Sequence, residues 1–147
     1  MLKPTKILVP TDFSEYSDRA LRQALDIAKQ YGAQVYVLHV LREEFYRFDD
    51  LGNIADTWQV MENSRLAKTK ENLQKQLDKF PQAKEVEVIA DIRRGLHYEA
   101  ILEEAEQKGI DLIVIASLGQ SGIAKYLIGS VARNVLKGAK CPVLLTK

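Results

Sequence analysis

Lys6-Ile7-Leu8-Val9-Pro10-Thr11-Asp12-Phe13-Ser14 changes character in its middle. The first half is a short apolar run closed by proline and reads as a buried strand. The second half is polar and opens a helix over Ser14 to Tyr31, in which Ala20, Leu21, Ala24, Ile27, Ala28 and Tyr31 recur at helical spacing. Gly32 stands where a glycine ends such a helix. A buried strand passing within a few residues into an amphipathic helix is the unit from which parallel sheets are built.

The unit recurs along the chain. Gln34 to Leu41 (QVYVLHVL) is rich in β-branched and aromatic residues and reads as a second strand. Residues 42–57, with Phe45, Tyr46 and Phe48 among several charges, read as a loop or a frayed helical start, packing under itself or closing over a groove as a lid. Helical signal resumes near Trp58, and Leu66, Leu73, Leu77 and Phe80 keep one face until Pro81. Glu85 to Ala90 alternates as a third strand. Tyr98, Ile101, Leu102 and Ala105 mark a third helix closed at Gly109, and Asp111 to Ala116 (DLIVIA) is the most apolar strand. A fourth helix runs from Ser130 to Leu136 and ends at Gly138, before a last strand, Pro142 to Thr146. The order βαβαβαβαβ predicts one α/β domain over 1–147: a doubly wound, five-stranded parallel sheet with helices on both faces.

Composition excludes several classes. The 147 residues carry 21 Lys and Arg against 20 Asp and Glu, a net charge of +1, which leaves no electrostatic footprint for nucleic acid. The longest apolar runs, about six residues, fall far short of the roughly 20 that a membrane-spanning helix needs. A cytoplasmic location is the expectation. One cysteine, Cys141, rules out an internal disulfide and reads as a small buried hydrophobe.

In open α/β sheets the ligand crevice lies beyond the carboxyl ends of the strands, where strand order reverses. That rule nominates Pro10 to Ser14, His39 to Leu41, and Ser117 to Ser130. Asp12 in the first of these fits a helix cap, as Asp12-Phe13-Ser14-Glu15 matches D-x-x-E, with Ser14 as the other candidate cap. Its carboxylate also suits a ligand's hydroxyls or ring amine. In the third segment, glycines would let backbone amides approach a phosphate, and Ser130 lies at a helix start, where free amides and the positive end of the dipole attract anions. Other templates fail. Ala124 and Tyr126 break the Walker pattern, there is no G-x-G-x-x-G, and both His39 and His97 precede Ser121, the wrong order for a nucleophile elbow. The two histidines read as structurally satisfied residues. A phospho-receiver would need paired carboxylates near the first strand, where Asp12 stands alone.

KILVPTDFSEYSDRAL at the start, VLHV in the second strand and DLIVIASLGQSGIAKYLIGSVARNVLKGAKCPVLLTK at the end together resemble the universal stress protein family over essentially the whole chain. The resemblance implies a Rossmann-like adenine-nucleotide-binding fold and a homodimer formed through the last strand, Pro142 to Thr146. One branch of that family binds ATP through G-x-x-G, nine residues, then G-[ST]. Here Gly119, the nine residues Gln120 to Ile128, and Gly129-Ser130 match, while Ala116 stands at the first glycine and Leu118 where many members carry histidine. The resemblance carries Pro10 and Thr11 to the adenine, Asp12 to the ribose or adenine end, and Val40 to adenine contacts. It carries Gly119, Gln120, Ser121, Gly129, Ser130 and Val131 to the phosphates, with Ala116 in the first motif position.

The expected function is therefore that of a dimeric cytoplasmic stress-response regulator that binds ATP with Mg or Mn. No general base or activated nucleophile is visible near the loop, so no catalytic residue is assigned and turnover is expected to be slow and incidental. No protein metal ligands are expected. The alternative is a dimeric interaction module of the same family that works without nucleotide.

Overall fold

A computed structural model describes residues 2–43, 54–119 and 128–147 of the chain. The elements are β1 (Lys6–Pro10), α1 (Glu15–Tyr31), β2 (Gln34–Leu41), α2 (Ile54–Asp78), a 3-10 turn (Pro81–Glu85), β3 (Val88–Arg94), α3 (His97–Gln107), β4 (Leu112–Ala116), α4 (Ser130–Gly138) and β5 (Val143–Thr146). The strands form one five-stranded sheet in the order β3-β2-β1-β4-β5, and the adjacent pairs are parallel.

Alternation along the strands explains the two layers. Ile7 and Val9 of β1 face α1 and α2, in a core with Leu21, Leu25, Val35, Val37, Leu73 and Phe80. Leu8 points the other way, toward α3 and α4, with Leu38, Ile101, Ile113 and Val135. Strands buried on both faces need apolar residues at every position, which is why β1 and β4 read as unbroken runs.

Two boundaries differ from expectation. The third strand is Val88–Arg94 rather than Glu85 to Ala90. Pro81–Glu85 closes into a 3-10 turn, and the ladder to β2 runs from Val35 opposite Val88 to Leu41 opposite Arg94. As β3 is an edge strand, Asp91, Arg93 and Arg94 are tolerated in it, and their polarity conceals its second half. Helix α2 starts at Ile54, ahead of Trp58. Its buried positions include Glu62, Thr69 and Gln76 beside Leu73, so its apolar stripe is weak. Of the segment read as loop or lid, residues 44–53 lie outside the described residues.

The chain winds outward from β1 through β2 to β3, then returns to lay β4 on the other side of β1. Strand order therefore reverses between β1 and β4. Their carboxyl ends, Pro10 and Ala116, open the crevice in which a ligand site is expected.

Candidate functional site

The β1–α1 turn supplies one wall of the crevice. Ser14, not Asp12, is the N-cap of α1, accepting a hydrogen bond from the Ser17 amide at 3.2 Å. Phe13 is the reason: its φ of 66° turns the chain sharply, so the helix begins after Ser14 and Asp12 lies two residues ahead of the cap. A left-handed Phe is costly and persists only where its surroundings hold it. Here the Phe13 amide donates to Thr11 Oγ1 at 3.1 Å, and its ring stacks on His39 with centroids 4.4 Å apart. The Asp12 carboxylate is fixed from the helix side, its Oδ1 accepting from the Ser14 amide at 3.0 Å and from the Ser14 hydroxyl.

The β4 side supplies the other wall. A β-carbon on Gly119 would lie 2.7 Å from Asp12 Oδ2, so the carboxylate fills the space where a side chain at 119 would stand. Gly129 donates its amide to the Ser117 carbonyl at 2.6 Å, and a β-carbon there would come within 3.3 Å of the same oxygen. Gly129 is the N-cap of α4, no side chain caps that helix, and Ser130 is its exposed first residue. The fold thus brings Asp12, Gly119, Gly129 and Ser130 to one crevice from two distant stretches of chain. Val131 is half-buried beside them, and Thr11 is buried behind Asp12. Val40 is buried in the α3–α4 core at the end of β2. Gln120 and Ser121 lie outside the described residues.

Ala116 ends β4 in register with Thr146. It has no left-handed backbone, since Phe13 is the sole non-glycine residue of positive φ among the described residues. A methyl group at 116 therefore carries no conformational penalty of the kind that would demand glycine.

Both histidines approach this site. His39 Nδ1–H donates to the Thr11 carbonyl at 2.8 Å, the structural satisfaction expected of it. Burial holds its pKa below the ordinary value, and so does the nearby His97, against the pull of Asp12. His97, at the start of α3, is likewise lowered by burial first and by Arg42 next. Cys141 is half-buried and its thiol is pushed up by burial, so it is not a reactive thiolate. Among the described residues no group of three His, Cys, Asp or Glu side chains could hold a metal ion.

Sequence reasoning missed the buried polar residues behind the turn, Ser17 and Gln76. A signal for both exists: each sits in an apolar stripe, Ser17 before Ala20 and Leu21, and Gln76 between Leu73 and Phe80.

Residues 4–147 match the family model described as the universal stress protein family. The chain is 34% identical over 143 residues to the universal stress protein MJ0531 of Methanocaldococcus jannaschii, covering 97% of this chain and 81% of that protein. A universal stress protein from Lactobacillus plantarum superposes with a TM-score of 0.83 over the whole of both chains at 23% identity, which speaks to the fold. A universal stress protein from Archaeoglobus fulgidus, solved in complex with dAMP, is 25% identical with a TM-score of 0.70, covering 99% of this chain and all of that one.

Proposed function

The chain belongs to the universal stress protein family, and we propose that it binds ATP in the crevice between β1 and β4 and acts as a regulatory dimer in the cytoplasm. The observation that carries this reading is the meeting of Asp12 with Gly119 opposite the uncapped start of α4. A fixed carboxylate suits the hydroxyls or ring amine of a nucleoside. The amides at the first turn of α4, those of Ser130 and Val131, with the dipole of the helix behind them, suit its phosphates. The dAMP complex of the Archaeoglobus relative supports an adenine nucleotide as the class.

The donor set bears on the metal. Asp12 Oδ1 already accepts from Ser14, and no other acidic cluster faces the crevice among the described residues. A Mg or Mn ion accompanying ATP would be held by phosphate oxygens and water. The same residues argue against rapid hydrolysis. Asp12 is engaged with the helix start, and His39 is a half-buried ring stacked on Phe13 and anchored on the Thr11 carbonyl, with no nucleophilic side chain bonded to it among the described residues. Turnover is expected below about one per second, the lower end of ordinary enzymes.

The test is mass spectrometry of small molecules released on denaturing freshly purified protein, followed by calorimetric titration with ATP. Asp12→Ala should lower the affinity at least about tenfold, the effect of losing hydrogen bonds to a charged group. A flat titration of folded protein would favour the second reading, a nucleotide-independent interaction module, which Ala116 and Leu118 motivate.

A further inference from the structure

Behind Asp12 lies a chain of buried hydrogen bonds that begins on α2. Gln76 is buried on the inward face of α2, near Leu73. Its Nε2 donates to Asp18 Oδ1 at 2.8 Å and, at 3.4 Å, to Ser17 Oγ. Its Oε1 lies 2.7 Å from Thr11 Oγ1. The amide has only one sensible orientation, because the opposite one would set its oxygen against the Asp18 carboxylate. Asp18 is itself fixed by Lys79 at 3.0 Å. With Oε1 facing Thr11, the Thr11 hydroxyl must donate its one proton to Gln76. Ser17 Oγ is satisfied elsewhere, donating to the Ser14 carbonyl at 2.8 Å. The lone pairs of Thr11 Oγ1 are then free to accept from the Phe13 amide.

We infer that Gln76 is a positioning residue for Asp12, an inference that rests on the nucleotide-binding reading above. Asp12 stands between Thr11 and Phe13. Thr11 is pinned at its amide by Leu38, at its carbonyl by His39 and at its hydroxyl by Gln76. Phe13 keeps its left-handed backbone through the bond that this hydroxyl accepts. Removing Gln76 frees the Thr11 proton to turn toward Ser17 Oγ, 3.0 Å away, and weakens the hold on Phe13. The consequence is a looser Asp12 beside Gly119. It also follows that α2, which makes none of the crevice's walls among the described residues, is linked to it through one side chain.

Gln76→Leu keeps the volume and removes both polar ends. In the full chain, with the fold checked by circular dichroism, the Ser14 amide reports the bond to Asp12 Oδ1. Its protection from hydrogen exchange should fall about tenfold relative to the core amides of β1 and β4. ATP affinity should fall by a similar factor, roughly that of one buried hydrogen bond to a fivefold-to-tenfold loss. Adding Asp12→Ala to Gln76→Leu should then cost less than Asp12→Ala does in the wild type, as expected of residues acting through one another. The paired exchange Gln76→Glu with Asp18→Asn swaps donor and acceptor between the helices, leaves an oxygen for Thr11, and should restore the Ser14 amide. If Gln76→Leu does not fold, Gln76→Asn withdraws the amide by one methylene and serves the same comparison. Protection lost equally at Ser14 and in the core, or strictly additive effects of Gln76 and Asp12, overturns the inference. A wild-type chain that binds no ATP sinks the nucleotide reading instead, and the Ser14 amide still decides whether Gln76 holds the turn.

Discussion

Gly119 shows how one residue type can satisfy a motif for a reason the motif does not state. In the sequence it reads as a place where backbone amides approach a phosphate. In the fold, its missing side chain is also the room that Asp12 Oδ2 occupies. Gly119→Val should therefore displace the carboxylate and reduce ATP affinity about as far as Asp12→Ala does, on the order of tenfold. Titration of both variants, alone and combined, checks this, and strictly additive losses would mean that the two do not share a function. Ser14→Ala touches the same turn from the other side. It removes a helix cap worth about 1 kcal/mol and also one partner of Asp12, so urea unfolding and ATP affinity should both move. A cap alone would shift only the unfolding midpoint. At this scale, Asp12 was legible as a candidate from its place after a buried strand. Its choice between capping and ligand binding was not, because that depends on the left-handed Phe13, and phenylalanine carries no mark of such a backbone.

Among the elements, the two sheet edges behave differently. β3, with β2 as its neighbour, carries Asp91, Arg93 and Arg94, the last ion-paired to Glu62 of α2, whereas β5, with β4 as its neighbour, leaves Leu144 exposed. If two copies pair through β5, Leu144 of each lies close to the two-fold axis region. Leu144→Glu would then set like charges together and raise the dimer dissociation constant at least about tenfold. Sedimentation velocity at micromolar concentration reads this directly, and a wild-type monomer there would remove the dimer from the proposal. The strands β1, β2 and β4 were legible because burial on both faces demands apolar runs. β3 and the start of α2 were displaced in the reading because edge position and polar docking loosen that demand. For α2 the polar contacts are specific: Glu62 is buried in ion pairs with Arg65 and Arg94, and Gln76 joins the Thr11 network.

For the whole molecule, acid sensitivity follows from opposed shifts. His39 and His97 have folded pKa values below their unfolded ones, both through burial. Between the two values the unfolded chain binds more protons, so their contribution is fully present above about 6.5 and is lost as pH falls below it. Glu104 is raised, by burial and by Asp91, despite the ion pair with Arg93 at 3.3 Å. There the folded chain holds the extra proton, and stability falls as pH rises from about 4.3 toward the raised value. Asp111 is lowered by bonds from Thr5 and Lys6 despite its burial, so its contribution persists down to about 3.9 and fades below. Glu104→Gln should remove the decline above about 4.3 while leaving the histidine-dependent loss below about 6.5. Urea unfolding across pH 4 to 8 separates the two, and an unchanged profile in Glu104→Gln would contradict the assignment.

The amino-acid sequence by itself determined the alternation of strands and helices, the ends marked by Gly32 and Pro81, and the segments around which a site would form. Those features depend on neighbours within one or two turns, so local periodicity and capping express them. Only the tertiary structure decided that β4 lies beside β1, that Asp12 meets Gly119, and that Gln76 reaches Thr11. Each of these joins residues far apart in the chain. Such meetings are set by which apolar faces pack and by where buried polar atoms find partners, and neither is written in any single segment.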